Sequence, residues 1–574
     1  MKKITALVLA LIVMAVFLPS CSKNADDKGA QFDIYLGSNI YDLDPAKMFY
    51  DDDSLKYINL IFEGLTRLDE NGNVKAALAQ KWDYSVDSRD GYLKLYFYLN
   101  ETSWSDSVSV NAESVVYAWK RLLDPETLNP AASLLYPILN AKNVKLGVMT
   151  IDDIGLSAIN SSTIEVVFEK DYTDVEKFIR NTASPALVAL REDVVASNPD
   201  TWAQPLYIKV KNDDSASNTL VTNGPFSVKS WTDEYMILER SSYYRNLGTD
   251  KNYTKYVTPY KITIHFNEND SEANAVYSDN ISAEQYESEK KNIKTSDSLS
   301  VYTYLFNTDN EILKNESVRK ALSISVDRNK IAELRGGKVS PATGFIPRGV
   351  SGSSLKKDYR TETGDIINTS SDMEQAKKLI SQSGISGGSF EITVSKEKKY
   401  EKDIAEYVCS VWKDLGFDVK VNEVTRDPSK KEYFYDVLEN REYDVIGIDY
   451  IGLSDDAYNF VVPFACEYSG NTVDINDENA KKTAVTGFDD DSYDEIISGI
   501  ELVNDSKSRY EVYKNAEQVL VDNAVVAPLV FNVNSRIISK DLSNIDTDYF
   551  GFDNFTKAKL KNYKKYIEQK NASE

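Results

Sequence analysis

The sequence predicts a multidomain α/β protein, on three observations. The chain has 574 residues, and at roughly 150 residues per domain that length suggests about two to four domains with ample core. Segments of strand period and helix period are interleaved along it rather than segregated. No repeat recurs at a spacing of roughly 20–50 residues, which sets aside solenoids and propellers.

The elements follow in order. Phe32-Asp33-Ile34-Tyr35-Leu36 reads as an opening strand. Residues 51–65 read as a helix, because Leu55, Ile58, Ile61, Phe62 and Leu65 recur at helical spacing. Asp51-Asp52-Asp53 stands at its start, where negative charge favours the helix dipole. In residues 92–99 (YLKLYFYL), Leu93, Leu95, Phe97 and Leu99 share one face of a strand. Asn111 is placed to cap the next helix. Val115, Val116, Trp119, Leu122 and Leu123 form its apolar stripe, and Asp124-Pro125 stops it. Further helices are expected over 316–326, over 372–383 ending at Gly384, over 402–415 ending at Gly416, and over 510–521. The last leads through Pro528 into a strand over 529–533. The polar stretches 209–221 and 284–300 read as loops or exposed helix, and the acidic stretch 470–491 as a solvated loop. Asp489-Asp490-Asp491 within it lacks the alternating ligands and turn glycine of a calcium loop.

Composition excludes several function classes. The formal net charge is −24, whereas nucleic-acid binding needs clustered Lys and Arg to displace counterions. One histidine, His265, and three cysteines leave no material for a His-rich zinc site, a four-cysteine cluster or a multi-bridge disulfide framework. No P-loop, GxGxxG after a strand, GxSxG or HExxH is present. His265 alternates within Ile262-Thr263-Ile264-His265-Phe266 and reads as a structural strand residue. The expectation is a binding protein with no catalytic residues, no metal and no cofactor, since aromatic-rich surfaces with a few placed polar groups make pockets.

The first twenty residues are an address. Lys2 and Lys3 precede an apolar run from Ile4 to Leu18, which is short of the roughly 20 residues that a spanning helix needs. Leu18-Pro19-Ser20-Cys21 then resembles a bacterial lipobox, which would make Cys21 the acylated first residue of the mature chain. Two acyl chains give stable attachment where one is marginal. Residues 21–30 are small and polar, as a tether should be. Cys409 and Cys466 are expected to be unpaired, with a disulfide between them the open alternative outside the cell.

A series of segments then resembles one family in consistent order. They are Leu43-Asp44-Pro45, residues 61–82 (IFEGLTRLDENGNVKAALAQKW), Trp104-Ser105-Asp106 with 111–125 (NAESVVYAWKRLLDP), 223–226 (NGPF) with Trp231, 317–328 (SVRKALSISVDR) and 510–533. Together they resemble the solute-binding proteins of peptide-type ABC transporters, the large oligopeptide and dipeptide binders. The resemblance implies a two-lobed periplasmic-binding-protein fold, hinged around a cleft, with an extra domain in the first lobe. Residues 31–72, 205–300 and 535–574 would form lobe 1, residues 73–204 the extra domain, and residues 301–534 lobe 2.

The implied function is capture of oligopeptides through their backbones, outside the cytoplasm. The protein would be a lipid-anchored monomer that hands its ligand to a membrane permease. Residues 443–460 (YDVIGIDYIGLSDDAYNF) resemble the family's pocket segment with departures. The pocket tryptophan becomes Tyr450, the basic residue falls on Gly447, and the aspartate for the peptide amino group falls on Leu453. Asp449, Asp455 and Asp456 lie nearby, and Asp455 is the chosen substitute. The loop after Leu43-Asp44-Pro45 nominates Phe49 and Asp51, the extra domain nominates Tyr136, and Asn532 falls where the family has an aromatic. For Phe49 and Tyr136 the core and pocket readings both stay open. The same fold binding an oligosaccharide, an opine-like compound or a nickel chelate is the first alternative, with nickel disfavoured by the single histidine. An enzyme or surface adhesin is the second.

Overall fold

A computed structural model describes residues 28–205, 220–245, 255–266, 275–281, 283–470 and 485–573. The signal segment, Cys21, most of the tether and most of the stretches 209–221 and 470–491 lie outside the described residues. No helix among the described residues is long and apolar enough to cross a membrane.

The molecule is α/β and two-lobed, and one curled sheet runs through both lobes. Its strand order is Phe417–Val424, Gly388–Ser395, Val445–Ile451, Ile293–Phe306, Val526–Ile538, Tyr277–Ser278, Gln31–Tyr35, Lys261–His265, Tyr235–Arg240 and Phe226–Trp231, with Ser340–Pro341 added to Val526–Ile538. Strands from one stretch of sequence thus fill one end, and strands from the first half of the chain fill the other. Ile293–Phe306 and Val526–Ile538 are long antiparallel strands of 14 and 13 residues that join the two ends. Their register shifts between Asp297 and Val301. Ile293 to Asp297 pair with Ile537 to Val533, and Ser300 to Phe306 pair with Ile451 to Val445 on their other side.

Residues 284–300 therefore differ from the expected loop or exposed helix. They form a short helix, Ala283–Glu289, and then the start of the long strand. Lys294 to Asp297 keep their side chains exposed while their backbones stay in the ladder. Composition reports side-chain polarity and is blind to a backbone that finds its partners across the sheet.

The other expected elements form with small shifts in their ends. Asp51 caps the helix Asp52–Ile61, accepting from the backbone N–H groups of Asp53 and Ser54. Asn223 brackets Glu63 beyond its end, and Gly224 donates to the Ile61 carbonyl at 2.8 Å. A Cβ at Gly224 would stand 2.5 Å from that carbonyl, so the NGPF turn requires glycine there. Asn111 caps Ala112–Leu122, whose stripe covers the four-stranded antiparallel sheet Ala79–Val86, Leu93–Leu99, Thr163–Val167 and Leu156–Asn160. Asp44 takes both ends of the Arg121 guanidinium, at 2.7 and 2.6 Å, and the Trp202 indole N–H at 3.0 Å, fastening this separate sheet layer to the first lobe.

In the second lobe, Asn315 caps Glu316–Ser325 and Asp372 caps Met373–Ser383, which ends at left-handed Gly384. The helix expected from residue 510 begins at Ser506, because Asp505 caps it, and the one expected from residue 402 runs Lys399–Lys413. The segment 317–328 is structural: Arg319 donates to the carbonyls of Asn523 and Ala524, and Arg328 to that of Pro528 at 2.7 Å. No disulfide joins Cys409 and Cys466.

Glu401 lies in the first turn of Lys399–Lys413, 2% exposed, and accepts the Ser395 N–H at 2.8 Å. Burial pushes its carboxyl up to about 8, against the opposing pull of Lys398. The folded chain thus holds a proton there that the unfolded chain releases near 4.5. The stability this gives is full below about pH 4.5, falls as pH rises and is gone above about pH 8. Urea melts of wild type and Glu401→Gln check this. The stability of Glu401→Gln relative to wild type is expected to rise by about 2–4 kcal/mol from about pH 5 to about pH 8. A difference independent of pH would contradict the assignment.

Candidate functional site

The six cleft residues nominated from the sequence all lie on the seam where residues 31–204 meet residues 301–538. Contacts along this seam fall into three groups: aromatic, acidic-tip and far-end.

The aromatic group centres on Tyr450, in the fully buried strand Val445–Ile451. Its ring centroid lies 6.3 Å from Phe49 and 5.9 Å from Tyr50 across the seam, and 5.2 Å from Phe345 and 5.7 Å from Phe460 on its own side. Tyr450 is 0% exposed in this conformation, and its hydroxyl donates to the Asn459 carbonyl at 2.8 Å. Phe345 is held in place by Glu517, which accepts the Phe345 and Ile346 N–H groups at 2.8 Å and pairs with Arg360.

The acidic tip of the helix Asp52–Ile61 meets cations of the second lobe. Arg426 donates to Asp51 at 2.6 Å and reaches Asp53 at 3.3 Å. Lys398 bridges Asp52 at 2.7 Å and Asp449 at 2.9 Å. Asp449 also accepts from the Tyr400 hydroxyl and from the Asn532 amide at 2.7 Å, and Asn532 donates to Ser300 at 2.9 Å. Burial alone would raise the Asp449 pKa, but Lys398 and Arg335 hold it below the usual carboxylate range. Burial would likewise raise Asp53, and Lys56, Lys398 and Arg426 hold it well down. Oxygens of Asp51, Asp52 and Asp53 lie within 4.8 Å of one another. The positive charge beside them comes from side chains, so the cluster is fitted to ion pairing within the seam.

The far end joins the separate sheet layer to the second lobe. Asp455 pairs with both Lys177 and Arg180, and Asp456 with Lys177 at 2.9 Å. Arg509 reaches back to Asp174 at 2.6 Å. The Tyr136 hydroxyl donates to the Glu467 carbonyl at 2.8 Å, and its ring packs 5.4 Å from Tyr468.

Sequence reasoning thus named one side of most of these contacts and missed the other. Arg426, Lys398, Lys177 and Arg180 carry no local signal, because each lies more than two hundred residues from its seam partner. The seam also holds polar atoms without a hydrogen-bond partner among the described residues: both side-chain atoms of Asn459, Asn532 Oδ1 and Arg335 Nε. Such groups cost about 1–3 kcal/mol each when left unpaired. A cavity of ≈120 Å³ at the hinge end is lined by Asp52, Lys56, Ser300, Arg335 and Asn532 among others. That is the volume of about four waters, well short of the roughly 300–1,000 Å³ of ligand pockets.

Comparison with known proteins places this geometry. Residues 73–472 match the model of bacterial extracellular solute-binding proteins, family 5 middle. The chain is 25% identical over 574 residues to the oligopeptide-binding protein OppA of Bacillus subtilis, covering 95% of this chain and 97% of that one. Listeria monocytogenes OppA bound to peptide has the same fold, with a TM-score of 0.75, 21% identity and coverage of 93% and 99%. The murein tripeptide binding protein MppA of Escherichia coli gives a TM-score of 0.72 at 22% identity, covering 93% of this chain and 98% of that one. Members of the matched family are binding proteins rather than enzymes. The chain belongs to family 5 of the bacterial extracellular solute-binding proteins.

Proposed function

We propose that the chain is a lipid-anchored extracytoplasmic protein that captures oligopeptides in the interlobe seam and delivers them to the permease of an ABC transporter. The observation that carries this reading is similarity along nearly the whole chain to an oligopeptide-binding protein, joined to a seam where Tyr450, Phe49, Asp51, Tyr136, Asp455 and Asn532 converge. The domain limits follow from it: lobe 1 from residues 31–72, 205–300 and 535–574, the extra domain from 73–204, and lobe 2 from 301–534. The register shift, which runs between Asp297 and Val301 and on the partner strand between Val533 and Phe531, supports a hinge where the two long strands cross between the lobes.

A peptide carries a charge of each sign at its ends and amides between. The seam offers carboxylates, cations and aromatic faces on both sides. Opening exchanges ion pairs and ring contacts for water, and a ligand recloses the lobes only by its differential affinity for the closed state. For Asp455 to receive a peptide amino group, that group must take a place now held by Lys177 or Arg180. One cation then replaces another, which keeps the local charge balanced.

Thermal melting with a pool of tri- to pentapeptides tests the reading. A rise in melting temperature that grows with peptide concentration is expected, and no shift at millimolar peptide would contradict it. Tyr450→Ala is expected to weaken binding by about 1–3 kcal/mol, as anchor aromatics do; unchanged affinity in a folded variant removes Tyr450 from the pocket. Asp455→Asn is expected to weaken peptides with a free amino end more than acetylated ones, and equal losses reject its role. Cys21→Ala is expected to move the protein from the membrane fraction to the soluble one. Retention in the membrane fraction would sink the anchor.

A further inference from the structure

This strongly acidic chain carries a cationic face, and that face lies beside the start of the described residues. Residues 557–565 hold Lys557, Lys559, Lys561, Lys564 and Lys565 and no acidic residue, against a net charge of −24 for the whole. Ala558 and Leu560 are buried while Lys557, Lys559 and Lys561 are exposed, on and around the short strand Lys559–Leu560. Lys564 and Lys565 open the helix Tyr563–Ser573 and are exposed too.

Hydrogen bonds fix where this face sits. The Lys557 ammonium donates to the Lys255 carbonyl at 2.8 Å, and the Thr258 N–H to the Thr556 carbonyl at 2.8 Å. The Tyr260 N–H donates to the Ala30 carbonyl at 2.8 Å, and the exposed Lys28 ammonium to the Tyr260 hydroxyl at 3.2 Å. The lysines therefore stand next to the strand that follows the tether. Acidic groups on neighbouring segments are partly engaged: Asp541 accepts from the Tyr566 hydroxyl at 3.1 Å and Glu239 from Tyr260 at 3.3 Å, while Glu568 is exposed.

We propose that Lys557, Lys559, Lys561, Lys564 and Lys565 form a docking face for an anionic lipid surface, meeting the headgroup phosphates of the bilayer that holds the anchor. The proposal rests on the anchor reading for its geometry. Lys28 is seven residues from Cys21, and seven residues span at most about 25 Å when fully extended. An acylated Cys21 would keep Lys28 within that distance of the headgroups, with the lysine face beside the strand that follows it. Attraction then acts over a Debye length of about 8 Å at physiological ionic strength. The rest of the acidic surface is repelled by the same charge, so the face sets orientation: lysines toward the bilayer, the remaining surface away.

Amine labelling followed by peptide mass spectrometry tests this on the lipidated protein in vesicles. In phosphatidylglycerol vesicles the five lysines are expected to label at least about threefold more slowly than in phosphatidylcholine vesicles. Exposed Lys377 and Lys378 on Met373–Ser383 serve as controls and are expected to label equally in both. Protection is expected to vanish at about 0.5 M salt, where the Debye length is about 4 Å. Equal rates for the five lysines in both lipids, with the acyl mass present on Cys21, overturn the proposal. A protein without the acyl mass overturns the anchor instead. The same labelling then follows addition of phosphatidylglycerol vesicles to the soluble chain, where protection keeps the lysine face and unchanged rates reject it.

Discussion

The pairing of Ile293–Phe306 with Val526–Ile538 is the constraint on which the architecture depends. These two strands belong to both lobes, and their ladder changes register between Asp297 and Val301. On one side of the shift they extend the lobe built on Gln31–Tyr35, and on the other they extend the lobe built on Val445–Ile451. A sheet that is continuous through both lobes fixes which faces oppose each other. Under the proposed function, the local break in its register is where those faces would pivot, since hinges are a few residues that absorb the dihedral change.

The opposing faces are chemically mixed, and that suits reversible closure. A purely apolar seam of this extent would resemble a domain core and resist opening. Here the rings around Tyr450 are flanked by Asp51, Asp52 and Asp53 facing Arg426 and Lys398, and by Asp455 facing Lys177 and Arg180. Buried ion pairs return little net free energy once desolvation is counted, although removing one partner is costly. Under the proposed function, such a seam would close without ligand and exchange its partners when one arrives. Asn532 Oδ1 and Arg335 Nε have no hydrogen-bond partner among the described residues, and both residues line the cavity beside Asp52 and Ser300, where under the proposed function a ligand's polar groups would meet them.

Much of the fold was legible in the sequence, because helix caps and apolar periodicity are local. Asp51, Asn111 and Asp372 mark helix starts within a residue, and Gly384 marks an end. The polar strand from Lys294 to Asp297 was not legible, since its partner, residues 533–536, lies over two hundred residues away. The site was half legible. Resemblance brought Phe49, Tyr450 and Asp455 forward, and the structure brings all three to the seam. Asp51 was read both as the start of a helix and, by resemblance, as a cleft residue, and its pairing with Arg426 needed the folded chain. Lys177 and Arg180 looked like ordinary residues of a short helix until the fold set them against Asp455.

The central claim is that the seam holds peptides. A native mass spectrum of the mature chain, freshly purified without denaturation, tests it most directly. The account predicts a spread of bound masses that fragment as short peptides. A single non-peptide mass, or an empty chain that ignores a peptide library, would contradict it and leave the fold with a different solute.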